Sequence, residues 1–166
     1  MIIMAVGPGR SGKDTFCDFF EKTFVCKNVG TCSKYLAKYV AEDMGLTEET
    51  AYANRHASDE IRCIWKAKGD EVRKDDPGKI IKEMIDAGED SLNIVCGGPR
   101  DLVEIEACRK EKLVDLIVWI KRDVKIDPTL KFDECHTDIT VLNNGTLEEF
   151  YEKLMNLGLA LGFYLR

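Results

Sequence analysis

The chain has 166 residues, of which 45% are hydrophobic and 33% are charged, and its formal net charge at pH 7 is −6. These values predict one globular domain with a real core, and the acidic balance argues against broad non-specific nucleic-acid binding. The chain has no apolar run near the roughly 20 residues of a membrane span and no basic signal-peptide region at its start, so we expect a cytoplasmic protein without a membrane partner.

The first fifteen residues are the most informative segment. A short apolar run, Ile2 to Val6, leads directly into Gly7-Pro8-Gly9-Arg10-Ser11-Gly12-Lys13. This segment has the spacing G-x-x-x-x-G-K of a phosphate-binding loop, or P-loop. Phenylalanines then recur at helical spacing, at positions 16, 19, 20 and 24. Strand, glycine-rich loop and helix together are the context that the motif requires, so we predict a nucleotide-phosphate site here.

The residue types of this loop suit a phosphate group. Glycines let the backbone approach a ligand closely, and the N–H groups at a helix N-terminus attract an anion. Lys13 supplies a mobile cation for the outer phosphates. We predict that the phosphates of a nucleotide are bound by eight residues of this segment: Gly7, Gly9, Arg10, Ser11, Gly12, Lys13, Asp14 and Thr15.

Asp14 stands where the motif usually has a serine or threonine that contacts magnesium. A carboxylate is also a good ligand for a hard cation, so we predict that Asp14 or Thr15 binds Mg²⁺. The alternative is that Asp14 is only an acidic residue favoured in the first turn of a helix.

The seven cysteines are odd in number and include no C-x-x-C pair. Several of them lie in apolar contexts. We therefore expect free, mostly buried thiols in a reducing compartment, and no zinc site.

Apolar runs and helical periodicity predict the remaining elements. Further strands are expected over 25–29, 92–96, 116–120 and 139–142. Helices are expected over 33–44, 59–68, 77–87, 102–112 and 147–157. The stretch 47–58 is polar and has no predicted element. The stretch 121–138 is expected to be a loop or flap, and the apolar tail 159–165 is expected to pack back on the domain.

Specific residues set the boundaries of these helices. Gly69 is expected to interrupt the second of them, and Asp76 with Pro77 to open the next as N-cap and first residue. Thr146 and Glu149 form a capping box for the last helix.

Continuous apolar strands that alternate with helices predict an α/β fold, a parallel sheet covered by helices on both faces. In such a sheet a ligand at the first loop lies at the carboxyl edge of the strands. Several predicted strands end there in charged or glycine-rich segments, so we expect the chemistry at that edge.

Four segments together resemble the bacteriophage deoxynucleoside monophosphate kinases, relatives of adenylate kinase. Arg10 to Thr15 is similar to the loop of that family, including its aspartate. The other resembling segments are Lys68 to Arg73 followed by Asp76-Pro77, then Pro99-Arg100-Asp101, and finally Asp138 to Glu149.

The resemblance implies a three-layer P-loop NTPase fold with a five-stranded parallel sheet of order 2-3-1-4-5, and ATP with Mg²⁺ as the donor. It also implies an acceptor-binding helical insert at about 33–88 and a lid at about 122–138. Arg122 would lie near the adenine and phosphates. The turn at 143–146, with Asn144 and Gly145, would touch the adenine.

The chain departs from the family at the end of the third strand, where Cys96-Gly97-Gly98 replaces a usual aspartate. Asp101 then takes its place, or Asp14 does more of the metal binding. Asp101 can equally be the N-cap of the following helix, and both roles are compatible. The predicted catalytic residues are Lys13, Asp14, Asp101 and Arg122.

Arginine suits phosphoryl transfer because its planar fork clamps phosphate. We assign Arg62, Arg73 and Arg100 to the acceptor. Arg55 is a weaker candidate, and both His56 and His136 are expected on the surface.

The predicted function is transfer of the γ-phosphoryl group of ATP to a deoxynucleoside monophosphate, by a monomer or homodimer in the cytoplasm, that of the host if the protein is phage-encoded. One alternative is phosphorylation of the hydroxyl of 5-hydroxymethyluracil in phage DNA, which needs an aspartate as base and a basic surface. The other is a nucleotide-binding switch without catalysis. The segment from Arg122 is expected to close only over both substrates.

Overall fold

Five parallel strands form the centre of the molecule. The structure is a computed structural model and describes residues 1–125 and 130–166. In chain order the strands are β1 (Ile2–Val6), β2 (Lys27–Thr31), β3 (Ile94–Gly97), β4 (Leu116–Lys121) and β5 (Ile139–Leu142). Every pairing is parallel and the order in the sheet is β2-β3-β1-β4-β5. The predicted α/β fold class and strand order are confirmed.

Seven helices occur in the described part of the chain, besides one 3₁₀ turn at Glu134–His136. They are α1 (Lys13–Thr23), α2 (Cys32–Met44), α3 (Glu48–Ala53), α4 (Asp59–Asp75), α5 (Lys79–Asp86), α6 (Leu102–Glu111) and α7 (Leu147–Ala160). None of the helices in this part is both long and apolar enough to cross a membrane.

Strand β1 divides the core because successive side chains of a strand point to opposite faces of the sheet. Ile3 and Ala5 face a layer that contains aromatic residues of α1 and α7. Met4 and Val6 face a second layer, with side chains from α5 and α6. The sheet is therefore covered on both faces, as the continuous apolar strands predict.

Helices α2 to α5 lie between β2 and β3, within the segment predicted to form the acceptor-binding insert. Part of it has a small core of its own, because Ala37, Val40, Ala51 and Trp65 are buried together. This core joins α2, α3 and α4. The insert's role in acceptor binding stays a prediction.

Helix α4 corrects the expected break at Gly69. The helix runs through this glycine to Asp75, although a glycine inside a helix costs about 1 kcal/mol. The guanidinium of Arg73 lies over Gly69, where an added Cβ would be 3.2 Å from its nitrogens. The missing side chain makes room for this contact.

The predicted opening of α5 is also wrong. Asp76 is the C-cap of α4, and its carboxylate accepts from the Gly78 amide and from Lys82. Helix α5 then begins at Lys79, with Gly78 as N-cap. Pro77 lies outside both helices.

The polar stretch 47–58, for which the sequence predicts no element, contains α3. Thr47 caps this helix by accepting from the Thr50 amide, and Ala51 is buried against the neighbouring helices. Strand β2 begins two residues later than predicted and includes Thr31, because Lys27 is the first residue paired with β3. The capping box of Thr146 and Glu149 is confirmed.

Candidate active site

The loop between β1 and α1 takes conformations that most residues avoid. The φ angles of Gly7, Arg10 and Gly12 are 140°, 64° and 107°. A Cβ on Gly7 would lie 2.6 Å from the Ile120 carbonyl oxygen, and one on Gly12 would lie 2.5 Å from Nδ2 of Asn143. The glycines at these two positions thus allow both the turn and its close packing on the neighbouring strands.

Lys13 is the first residue of α1 and its ammonium reaches back across the loop. Nζ donates to the carbonyl oxygens of Gly7 and Pro8, at 2.8 and 2.7 Å. Asp14 follows in the first turn and is exposed, and Thr15 is half-buried. The structure therefore places the predicted phosphate and metal ligands side by side at the N-terminus of α1.

Asn143, the residue after β5, ties this loop to the end of β4. Its side-chain amide donates to the Ser11 carbonyl at 2.8 Å, and its backbone amide donates to the Lys121 carbonyl at 2.7 Å. The residue is 7% exposed. The resemblance places the turn at 143–146 against the adenine and does not predict this contact with the loop. Asn143 and Ser11 are 132 positions apart, so no local pattern joins them.

Ser11 is fully buried, and its hydroxyl oxygen has no hydrogen-bond partner among the described residues. A buried polar atom without a partner is rare and costs about 1–3 kcal/mol. A ligand oxygen that accepts a hydrogen bond from this hydroxyl would remove that cost.

Arg122 and Asn144 lie where two loops meet. The Asn144 side chain accepts from the Asp123 amide at 2.8 Å and donates to the Asp123 carboxylate at 3.0 Å. Arg122, next to this contact, is exposed at the end of β4. Gly145 is exposed too. Residues 126–129 of the predicted lid lie outside the described residues, so the lid stays a prediction.

Asp101 caps α6, as predicted, by accepting from the Val103 amide at 3.3 Å. It also accepts from Nζ of Lys131 at 2.5 Å. Burial acts to raise the pKa of Asp101, but the Lys131 and Val103 hydrogen bonds hold it below its ordinary value. Its carboxylate is thus ionised at neutral pH and already paired, which makes it a weak general base.

Arg73 is engaged on both of its terminal nitrogens. It binds Asp70 at 2.5 Å and Glu104 at 3.3 Å. Glu104 lies on α6 and is 3% exposed. Burial raises the pKa of Glu104 to about 7, and the nearby Arg73 charge partly opposes that rise. Sequence reasoning did not identify Glu104, because its position looks like an ordinary helix face.

Burial and the charges of four arginines lower the pKa of His56, which lies between α3 and α4. Desolvation is the first cause of its lowered pKa, followed by positive charges. Those charges belong to residues from the phosphate loop, the α3–α4 connection, α4 and the segment after β3, namely Arg10, Arg55, Arg62 and Arg100. Arg62 and Arg100 therefore act on the same histidine as Arg10 of the phosphate loop, whereas Arg73 binds carboxylates.

Arg55 belongs to this arginine cluster although its sequence signal is weak. Its guanidinium carbon lies 3.9 Å from the centre of the Tyr52 ring, and it donates to the Tyr52 carbonyl at 2.7 Å. A stacked guanidinium keeps donors available to an anion.

No protein-family model matches the chain, and no curated protein matches it. Among solved structures, a shikimate kinase from Aquifex aeolicus is 16% identical, with 98% of this chain and 99% of that chain covered and a TM-score of 0.46. A shikimate kinase from Bacteroides thetaiotaomicron is 12% identical, with 98% of both chains covered and a TM-score of 0.45. These likenesses are too distant to assign a substrate.

Proposed function

We propose that the protein is an ATP-dependent phosphotransferase that transfers the γ-phosphoryl group to a deoxynucleoside monophosphate. The observation that supports it best is the arginine cluster of Arg10, Arg55, Arg62 and Arg100 around His56, because Arg10 belongs to the phosphate loop itself. A phosphate-binding loop that shares a charge cluster with several further guanidinium groups suits two phosphorylated substrates. Phosphoryl transfer depends mainly on such positioning and positive charge.

The loop fits the phosphates of ATP on three counts. Gly7 and Gly12 permit a close approach, the Ser11 hydroxyl lacks a partner, and the Lys13 ammonium rests on loop carbonyls. Lys13 would exchange those carbonyls for outer phosphate oxygens. Asp14 and Thr15 would hold Mg²⁺, which supplies neutralising charge to the phosphates when bound.

The arginine cluster favours an acceptor that carries a phosphate. Guanidinium groups bind phosphate oxygens through paired hydrogen bonds. An ionised phosphate oxygen needs no general base, which agrees with the paired and ionised state of Asp101. Arg62 and Arg100 would clamp the acceptor.

The hydroxymethyluracil alternative gains less support. It calls for a basic surface beside the insert, but Lys38 is paired with Glu83, and Lys68 with Asp43 and Glu71. It also calls for a base, and Asp101 already holds Lys131.

The test is a screen of nucleoside monophosphates with labelled ATP, for the parent chain, Lys13→Ala and Lys22→Ala. Lys22 is exposed in the last turn of α1 and serves as a matched control. We expect a labelled diphosphate from the parent and from Lys22→Ala. Lys13→Ala should lower turnover at least about 100-fold, because an electrostatic contact to the transferred group is lost.

The outcomes separate the candidates. Unchanged transfer by Lys13→Ala would contradict the proposed role of the loop. Phosphorylation of DNA that contains hydroxymethyluracil, with no labelled diphosphate, would show that the acceptor is the modified base and not a nucleoside monophosphate. ATP binding without any transfer would favour the switch.

A further inference from the structure

Three side chains with different metal-ligating atoms meet beside the 3₁₀ turn at Glu134–His136. They are Asp133, Cys135 and His136, and their ligand atoms all lie within 4.8 Å of one another. The group belongs to neither the phosphate loop nor the arginine cluster. It lies in the last part of the segment predicted to be the lid, 122–138, and precedes β5.

The separations between these atoms are close to those around one shared ion. Cys135 Sγ lies 3.4 Å from Nδ1 of His136, and that nitrogen lies 3.0 Å from Oδ1 of Asp133. Tetrahedral zinc at ordinary ligand distances separates its ligand atoms by roughly 3.3–3.7 Å. Small side-chain rotations would therefore suffice to bind an ion.

The backbone of this cluster is fixed from several sides. Asp133 accepts from the Cys135 amide at 3.1 Å, and the His136 carbonyl accepts from Arg109 of α6 at 2.9 Å. Phe132 is 8% exposed and packs on both Trp119 and the His136 ring. A preorganised set of ligands loses little entropy when it binds an ion.

The surrounding charges leave the cluster suited to a divalent ion. Glu134 is paired with Lys121, and Asp138 with Arg109, each at 2.8 Å. Asp133 and a Cys135 thiolate would then supply two negative charges that balance the ion. A donor set of oxygen, sulfur and imidazole nitrogen favours zinc or cobalt over Mg²⁺.

We infer that Asp133, Cys135 and His136 bind one transition-metal ion of the zinc class. The three ligands leave a fourth position for water. On binding, the Cys135 thiol loses its proton to solvent and its sulfur bonds to the ion, with no change in redox state. The ion would join both ends of the turn and so stabilise the approach to β5. The spacing Asp-x-Cys-His contains no C-x-x-C pair, so cysteine counting does not reveal it.

The experiment uses the full reduced chain, without nucleotide, titrated with Co²⁺ alone and then with Zn²⁺. We expect one Co²⁺ per chain and a thiolate-to-cobalt charge-transfer band in the near ultraviolet. Zn²⁺ should abolish that band, and excess Mg²⁺ should leave it unchanged. Zn²⁺ should also raise the midpoint of thermal unfolding of the parent chain.

Cys135→Ser and His136→Ala test the ligands. Cys63→Ser is the matched control, because Cys63 is the other exposed cysteine of the chain and lies on α4. Each ligand variant should weaken Co²⁺ binding at least about tenfold, and Cys135→Ser should lose the band. Cys63→Ser should keep both. Circular dichroism would verify that all three variants fold.

Three results would overturn the inference. They are no stoichiometric band in the parent, an unchanged band in Cys135→Ser, or its loss in Cys63→Ser. In the first case the three side chains only cap the turn.

Discussion

Gly12 is one of the two glycines whose backbone angles and close packing determine the shape of the phosphate loop. Its φ angle is 107°, and an added Cβ would lie 2.5 Å from Nδ2 of Asn143. That nitrogen donates to the Ser11 carbonyl. A side chain at position 12 would therefore strain the backbone and disturb the bond that ties the loop to the turn after β5.

Gly12→Ala should destabilise the chain, because the left-handed backbone strain costs about 1–2 kcal/mol and the clash with Asn143 adds to it. The same clash moves Asn143, so ATP binding should weaken at least about tenfold. Gly45→Ala is the control. Gly45 also has positive φ, at 62°, but a Cβ there meets nothing within 4 Å. It should cost only the strain and leave ATP affinity unchanged. Urea unfolding and ATP titration measure the two quantities, and equal affinities for the two variants would contradict this explanation.

The site residues that lie together in one sequence motif could be predicted from the sequence. Residues 7 to 15 lie in one motif, so Ser11 and Lys13 could be located from spacing alone. Asn143 could not, because its contact with Ser11 joins distant parts of the chain. Glu104 carries no sequence signal, since only the fold shows that a carboxylate there is buried against Arg73.

At the scale of elements, an ion pair joins the insert to the core. Arg73 of α4 binds Glu104 of α6, and the Glu104 side chain is 4% exposed. Burial raises the pKa of Glu104 from an ordinary 4.5 to about 7. Between pH 4.5 and about 7 this carboxyl is ionised in the unfolded chain but still protonated in the folded chain. The free energy of unfolding therefore falls as the pH rises through this range.

Glu104→Gln should remove this pH dependence. Each pKa unit corresponds to about 1.4 kcal/mol, so the parent should lose roughly 3 kcal/mol of unfolding free energy relative to the variant between pH 4 and 8. Urea unfolding across this range measures the difference. Glu106→Gln, an exposed change on the same helix, should follow the parent. Parallel curves for the parent and Glu104→Gln would show that the burial of this carboxyl has no such effect.

The elements themselves were predictable where local signals agree with tertiary contacts. Strand β4 is a continuous apolar run, and the Thr146 capping box marks the start of α7. The prediction of a break at Gly69 was wrong, because the contact of Arg73 with that glycine depends on the folded helix. Helix α3 was missed because its six residues hold one buried side chain, Ala51, too few for a period.

At the scale of the whole molecule, the tail after α7 completes the core on one face of the sheet. Phe163 is 5% exposed, and its ring centre lies 5.5 Å from that of Phe20 and 5.8 Å from that of Phe24. Arg166 donates to the carbonyls of Phe24 and Cys26, both at 2.9 Å. The tail thus packs on the helix that the phosphate loop opens, as the apolar run predicts.

Phe163→Ala should therefore destabilise the entire domain and not only the tail. Removal of a buried phenylalanine costs about 3–5 kcal/mol, since it leaves a cavity between Phe20 and Phe24. Tyr164→Ala is the neighbouring control. Tyr164 is 73% exposed, and its change should stay within about 0.5 kcal/mol of the parent. Urea unfolding should show a lower midpoint for Phe163→Ala with an unchanged slope. ATP binding should protect the weakened variant from unfolding, because a ligand that binds only the folded state stabilises it. A midpoint equal to that of Tyr164→Ala would mean that the tail lies outside the cooperative core.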